Sequence, residues 1–228
     1  MNRSLPDDLR RIYGERFASN LEYRREIWRA LVSNYFQRFV GGDDAVLDLG
    51  CGYGEFINAV RCGSKLGMDL NPDSAKFLAG DVTLLQQDCA SPWQLQDASL
   101  DVVFTSNFLE HLPDKVALGR TLDETYRCLK PGGRLVALGP NIKYLAGRYW
   151  DFWDHHVALT ELSLREALVT RGFAIKLCVA RFLPYTMAAG PRYPVMFLKV
   201  YLRVRAVWPI FGRQFLVVAV RPPDTQRP

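Results

Sequence analysis

The chain carries three histidines, and two of them close the seven residues WDFWDHH at positions 150–156. Imidazole is the side chain best matched to moving a proton near neutral pH, so His111, His155 and His156 are the candidate catalytic residues. Around them, Tyr144, Tyr149, Trp150 and Trp153 offer rings to stack on an acceptor, and Asp154 a carboxylate to receive its hydroxyl protons. The same residues could instead seal the segment against its own sheet, and the sequence leaves pocket wall and packing both open. No metal centre is expected. Two Asp and two His stand in this stretch, yet adjacent side chains diverge and seldom share one ion.

A second group of candidate residues lies in VLDLGCGYGEF, residues 46–56. Gly50, Gly52 and Gly54 let a backbone turn tightly and approach a ligand closely, and a helix starting there aims its first amides at that ligand. Asp69 stands nineteen residues after Gly50, where an acid at a strand end can hold both hydroxyls of a ribose. In dinucleotide folds the third glycine comes three residues after the second, under a pyrophosphate. Here the spacing is GxGxG and Asp48 precedes it, a carboxylate that repels a pyrophosphate and attracts an ammonium. A nucleoside cofactor with an amino-acid tail and no phosphate fits better, which points to S-adenosylmethionine.

These residues need elements to place them. Apolar spacing at three and four residues predicts helix up to about residue 40, stopped by Gly41-Gly42. Short apolar runs predict strands at 45–50, 65–70, 99–107, 132–140, 173–183 and 215–220, with helices at 54–62, 72–79, 114–130 and 161–172 between them. Strands alternating with helices give a parallel sheet with helices on both faces. LEHLPD at 109–114 lies just beyond the strand at 99–107, on the carboxyl edge where such sheets bind ligands.

At 228 residues and 49% hydrophobic, one large domain is expected. It divides into an N-terminal helical cap (1–42), a cofactor-binding core (43–140), and a substrate-side loop, insertion and final strands (141–228). No stretch has the length of a membrane span, and the first residues lack the apolar middle of a signal peptide. Five cysteines (51, 62, 89, 128, 178) without a CxxC pair suit reduced thiols in the cytoplasm. A net charge of +5 is mild, and Lys and Arg are too sparse for a phosphate-tracking surface, which argues against nucleic acid. Residues 193–212 mix Lys199, Arg203 and Arg205 with apolar and aromatic residues. That segment reads either as a basic amphipathic helix touching an anionic membrane or as an insertion packed on the body or on a second copy of the chain.

VLDLGCGYG, GMDLNP, QQDCA, LDVVFTSNFLEHLPD and LKPGGRLV together resemble the class I S-adenosylmethionine-dependent methyltransferases over about residues 43–140. The resemblance implies a Rossmann-like α/β fold with a seven-stranded, mostly parallel sheet whose last strand is antiparallel. It implies that Asp48, Gly50, Cys51, Gly52 and Gly54 surround the methionine portion, and that Asp69 and Leu70 meet the ribose. Asp88 and Cys89 would meet the adenine, and Asn107 and Phe108 would stand near the sulfonium and acceptor. LEHLPD recurs in relatives with very different substrates, so His111 reads as either base or structural residue. The Asn/Asp-Pro-Pro-Tyr/Phe sequence typical of methyltransferases acting on adenine exocyclic amino groups or on glutamine is replaced by Ser106-Asn107-Phe108-Leu109, which argues against that chemistry. A weaker likeness, carried by PNIKYLAGRYWDFWDHHVALTELSL, is to enzymes of glycan and surface-polysaccharide biosynthesis. The expectation is therefore an O-methyltransferase for a sugar or glycan hydroxyl, with a small-molecule or lipid-linked acceptor and an RNA acceptor as alternatives. A partner that keeps the fold but only binds is a further alternative.

Overall fold

The computed structural model describes residues 11, 14, 20–185 and 192–223. The start of the expected N-terminal cap, residues 186–191 of the expected substrate-side section and residues 224–228 lie outside the described residues. Seven strands are present: β1 Ala45–Leu49, β2 Ser64–Met68, β3 Val82–Leu85, β4 Leu100–Ser106, β5 Leu129–Pro140, β6 Ala174–Leu183 and β7 Gln214–Val220. They form one sheet in the order β3-β2-β1-β4-β5-β7-β6. The α-helices are α1 Leu21–Asn34, α2 Lys115–Cys128, α3 Ile142–Leu145, α4 Glu161–Val169, α5 Val195–Arg203 and α6 Trp208–Phe211. The chain divides into two compact units, Met1–Asp88 with Thr186–Arg205, and Cys89–Tyr185 with Ala206–Pro228.

In the first unit β1, β2 and β3 pair in parallel, with Leu47 opposite Leu66 and Gly67 opposite Leu84. The apolar run of β1 is buried from Val46 onward, as a strand covered on both faces requires. Helix α1 buries Ala30, Leu31 and Val32; Leu31 and Val32 belong to its three- and four-residue apolar spacing. The helix expected at 54–62 is reduced to two helical turns, Asn58 N–H to Gly54 O and Val60 N–H to Phe56 O. The Asn58 side chain bonds Phe77 O and Ala79 N–H, tying the short segment sideways before a helix can propagate. The helix expected at 72–79 is a 3-10 turn, Pro72–Lys76, started by the Asn71 side chain accepting from Asp73 N–H.

In the second unit β4 and β5 are parallel, while β7 lies antiparallel between β5 and β6. The expected antiparallel last strand is therefore observed. Asp114 caps α2 by accepting from Ala117 N–H at 2.7 Å, and the helix ends at Cys128. Lys-Pro-Gly-Gly ends it as expected, but the turn is absorbed as an irregularity inside β5, with Gly132 at φ 85° and a register shift opposite Leu100–Val102. Helix α4 starts with a reciprocal cap between Thr160 and Ser163.

Candidate functional site

β1 delivers the chain at Leu49 into a loop that only glycine adopts without strain: Gly50, Gly52 and Gly54 have φ of 73°, 53° and 73°. At Gly54 a Cβ would also stand 2.6 Å from Leu78 Cδ2. Gly50 and Cys51 both donate their N–H to Met68 O at the end of β2. One residue on, Asp69 accepts from Gly52 N–H through Oδ2 and from Asn71 N–H through Oδ1, both at 2.8 Å. The glycine loop and the predicted acid are thus fixed to each other by backbone hydrogen bonds. Leu70 is half-buried beside them.

The electrostatics of this loop are one-sided. Asp48, Glu55 and Asp69 are all buried. Burial, followed by the charge of Glu55, holds the Asp48 carboxyl well above the ordinary carboxylate range. Arg24 of α1 meets Glu55 at 2.7 Å. Burial and then Asp48 push the Cys51 thiol well up, which disfavours the nucleophilic thiolate. Three buried acids, one of them paired with Arg24, make a place suited to a ligand that brings positive charge of its own. Glu55 and Arg24 were not singled out from the sequence. Glu55 follows directly on Gly54, but no spacing rule links it to Arg24, which a separate helix supplies.

Of the two residues assigned to an adenine, Asp88 is exposed and Cys89 is buried. The Cys89 carbonyl accepts from Trp93 Nε1–H at 2.8 Å.

In the second unit β4 ends at Ser106, and Asn107 takes the left-handed conformation, φ 49°. Its side chain donates to Ser106 Oγ and its N–H to Leu138 O. A non-glycine residue held at positive φ at a strand end marks backbone that the surroundings over-determine. Phe108 follows, half-buried, and leads into a 3-10 turn, Leu109–His111.

That turn brings the histidines together. The Glu110 carbonyl accepts from His156 N–H at 2.8 Å and Val157 N–H at 3.0 Å, which staples residues 155–157 against it. His111 Nδ1 is 2.9 Å from Asp154 O and 3.2 Å from Asp154 Oδ2. With Nδ1–H donating to Asp154, Nε2 carries the ring's lone pair. One ligating atom each from Glu110, His111 and His155 all lie within 4.8 Å of one another. Glu110 is 1% exposed. Burial raises its pKa to about 7, partly offset by His111. Burial works against the His111 imidazolium, yet the Asp154 hydrogen bond and the charges of Glu110 and Asp154 together raise its pKa.

WDFWDHH divides in two. The buried His155 ring stacks on Phe152 at 4.9 Å and meets His111 and Tyr149 edge-on at 4.8 Å. Tyr149, fully buried, donates its hydroxyl hydrogen to Val157 O. Trp150 and Trp153 are 53% and 91% exposed, and the His156 side chain also faces solvent. Tyr144 is half-buried beneath the Arg181 guanidinium, 4.7 Å from its ring centre. The sequence singled out His111, His155 and Asp154 but not Glu110, which stands beside His111 in the same LEHLPD stretch.

Residues 47–137 match the family described as Methyltransferase domain. A protein of Mycolicibacterium smegmatis named "Probable S-adenosylmethionine-dependent methyltransferase" is 30% identical over 140 residues, 58% of this chain and 52% of that one. Demethylmenaquinone methyltransferase of Lactiplantibacillus plantarum is 34% identical over 106 residues, 41% of this chain and 44% of its own length. The 27-O-demethylrifamycin SV methyltransferase of Amycolatopsis mediterranei is 31% identical over 107 residues, 42% of this chain and 38% of its own. The chain thus spans about half or less of the curated relatives it matches. Among solved structures, an S-adenosylmethionine-dependent methyltransferase of Archaeoglobus fulgidus has the same fold: TM-score 0.64, 24% identity, 86% of this chain and 94% of that one.

Proposed function

We propose that this chain, which carries an S-adenosylmethionine-dependent methyltransferase domain, transfers a methyl group to a hydroxyl oxygen. Such a domain belongs to an enzyme and implies S-adenosylmethionine as cofactor. The residues of the first unit fit that group. Asp48 and Glu55 suit its ammonium, the glycine loop admits close backbone approach, and Asp69 suits the ribose hydroxyls. Asp88, Cys89 and Asn107 are assigned to its adenine and sulfonium ends by position in the sequence. When bound, the cofactor supplies an electrophilic methyl group, so the protein's task is to align an acceptor in a dry site and ease the loss of its proton.

The observation that carries the O-methyl reading is the cluster of Glu110, His111, Asp154 and His155. A hydroxyl is a poor nucleophile until its proton is lost or its charge is offset, and this cluster offers both means. For the acceptor we favour a sugar or glycan hydroxyl: the Trp150 and Trp153 rings are exposed beside Asp151 and Asp154, faces on which a pyranose could stack. A small-molecule hydroxyl is the second reading, favoured by the quinone and rifamycin names of the curated relatives. Purified protein with labelled cofactor, offered sugar nucleotides, glycan extracts and phenolic small molecules, separates the two. Label in amine acceptors alone would end the O-methyl reading.

No described helix is long and apolar enough to cross a membrane. Helix α5 exposes Met196, Phe197 and Val200, with Tyr193 just before it and Lys199 and Arg203 within it. This supports peripheral contact with an anionic membrane. Flotation with phosphatidylserine vesicles tests it: the contact is dismissed if the native protein and a Lys199→Glu/Arg203→Glu variant both stay at the bottom.

A further inference from the structure

We propose that Glu110, His111 and His155 form a binding site for one divalent transition-metal cation, and that this cation takes the acceptor oxygen. Two imidazoles and one carboxylate are a donor set suited to Zn²⁺, Co²⁺, Mn²⁺ or Fe²⁺ and poorly suited to Ca²⁺ or Mg²⁺, which prefer oxygen. The ligating atoms already lie within 4.8 Å of one another. Metal–ligand distances of about 2.0–2.2 Å allow two ligands of one ion to stand about 4 Å apart. Small side-chain rotations close the set.

Two further observations point to a ligand at this place. Glu110 Oε1 is buried without a hydrogen-bond partner among the described residues, although a buried carboxylate oxygen normally has one. His111 is also oriented as metal-binding histidines are, its Nδ1–H held by a carboxylate and a carbonyl so that Nε2 is presented. The adjacent His155-His156 pair does not chelate. One of the two joins residues 110–111, which a stretch-by-stretch reading of 150–156 could not reveal.

What the cation does rests on the O-methyl reading; the site itself does not. A hydroxyl bound to a divalent ion loses its proton to water near neutral pH, as metal-bound water does. The exposed oxygen lone pair forms the new C–O bond, while the donor's sulfonium becomes a neutral thioether.

The test uses tag-free protein stripped with a chelator and titrated with Co²⁺, whose visible d–d absorption reports its ligands. The expected result is a spectrum saturating at one Co²⁺ per chain and displaced by Zn²⁺. Glu110→Gln and His155→Gln should abolish it. Asp154→Asn, which alters only the group behind His111, should weaken it by about 10–100-fold. Circular dichroism and S-adenosylmethionine affinity, measured on each variant, show whether it folds. A native protein without a stoichiometric spectrum overturns the site, as does one whose spectrum is unchanged in all three variants. Stoichiometric Co²⁺ without methylation of any hydroxyl removes the O-methyl reading and leaves the site. Methylation at an unchanged rate in chelator removes the cation's role and leaves that reading standing.

Discussion

Two centres of buried acid lie in this chain, and they are unlike each other. Around the glycine loop lie Asp48, Glu55 and Asp69, with Arg24 paired to Glu55. Around the 109–111 turn, Glu110 and Asp154 are mixed with two imidazoles, groups whose charge follows pH. In the first centre the acids crowd one another, so Asp48 is held toward its protonated form until a positively charged ligand arrives. The second holds imidazoles beside its carboxyls and can take up a proton or a cation at either kind of group. Acids alone select a cationic ligand, and the mixed set suits a place where charge changes during reaction.

The contrast is broken most severely at Asp69. Asp69→Ala removes the acceptor of two buried backbone N–H groups, each costing about 1–3 kcal/mol when left unpaired. Cofactor affinity by calorimetry should fall at least about 100-fold. Gly54→Ala puts an alanine at φ 73° and drives its methyl against Leu78. It should lower stability by about 1–3 kcal/mol in a urea titration of the free protein.

His155→Gln tests the other side. Turnover should drop by about tenfold or more while cofactor affinity stays within about twofold; a parallel loss of both would merge the two centres into one. For Asp48 the prediction concerns pH. Its folded pKa is raised, so the free protein holds a proton there above the usual carboxylate range, and a bound cation favours the ionised form. Binding should therefore release a proton and tighten as pH rises, levelling off once Asp48 is ionised in the free protein. Calorimetry in buffers of different ionisation enthalpy reads that proton, and Asp48→Asn should abolish it. The smallest effect is expected at Trp153, which is 91% exposed. Trp153→Ala should shift stability by no more than about 0.5 kcal/mol and raise KM for a sugar acceptor without changing kcat.

The first centre was largely legible in the sequence because Asp48 to Asp69 spans one strand–turn–strand unit whose local rules are strict: apolar run, glycines, acid at the next strand end. The helix expected after the glycines was misjudged because the Asn58 side chain, reaching to Phe77 and Ala79, is a long-range competitor that periodicity does not register. The second centre was legible only in pieces. His111 and Asp154 lie 43 residues apart and are joined by hydrogen bonds that no spacing encodes. Glu110 carried no signal because its burial follows from the loop folded over it, and the aromatic stretch read as one feature although its residues face two ways.

The place of β7 in the sheet has a consequence for synthesis. β6 pairs with β7 and β7 with β5, so the chain's last described strand stands between two earlier ones. Until residues 214–220 join the sheet, β6 has no neighbour for its hydrogen bonds and β5 has one bare edge. The second unit closes only when Gln214–Val220 emerges and slides between them. Until then the unfinished sheet offers bare strand edges to whatever is nearby, so mispairing is a hazard that the last strand alone removes for β5.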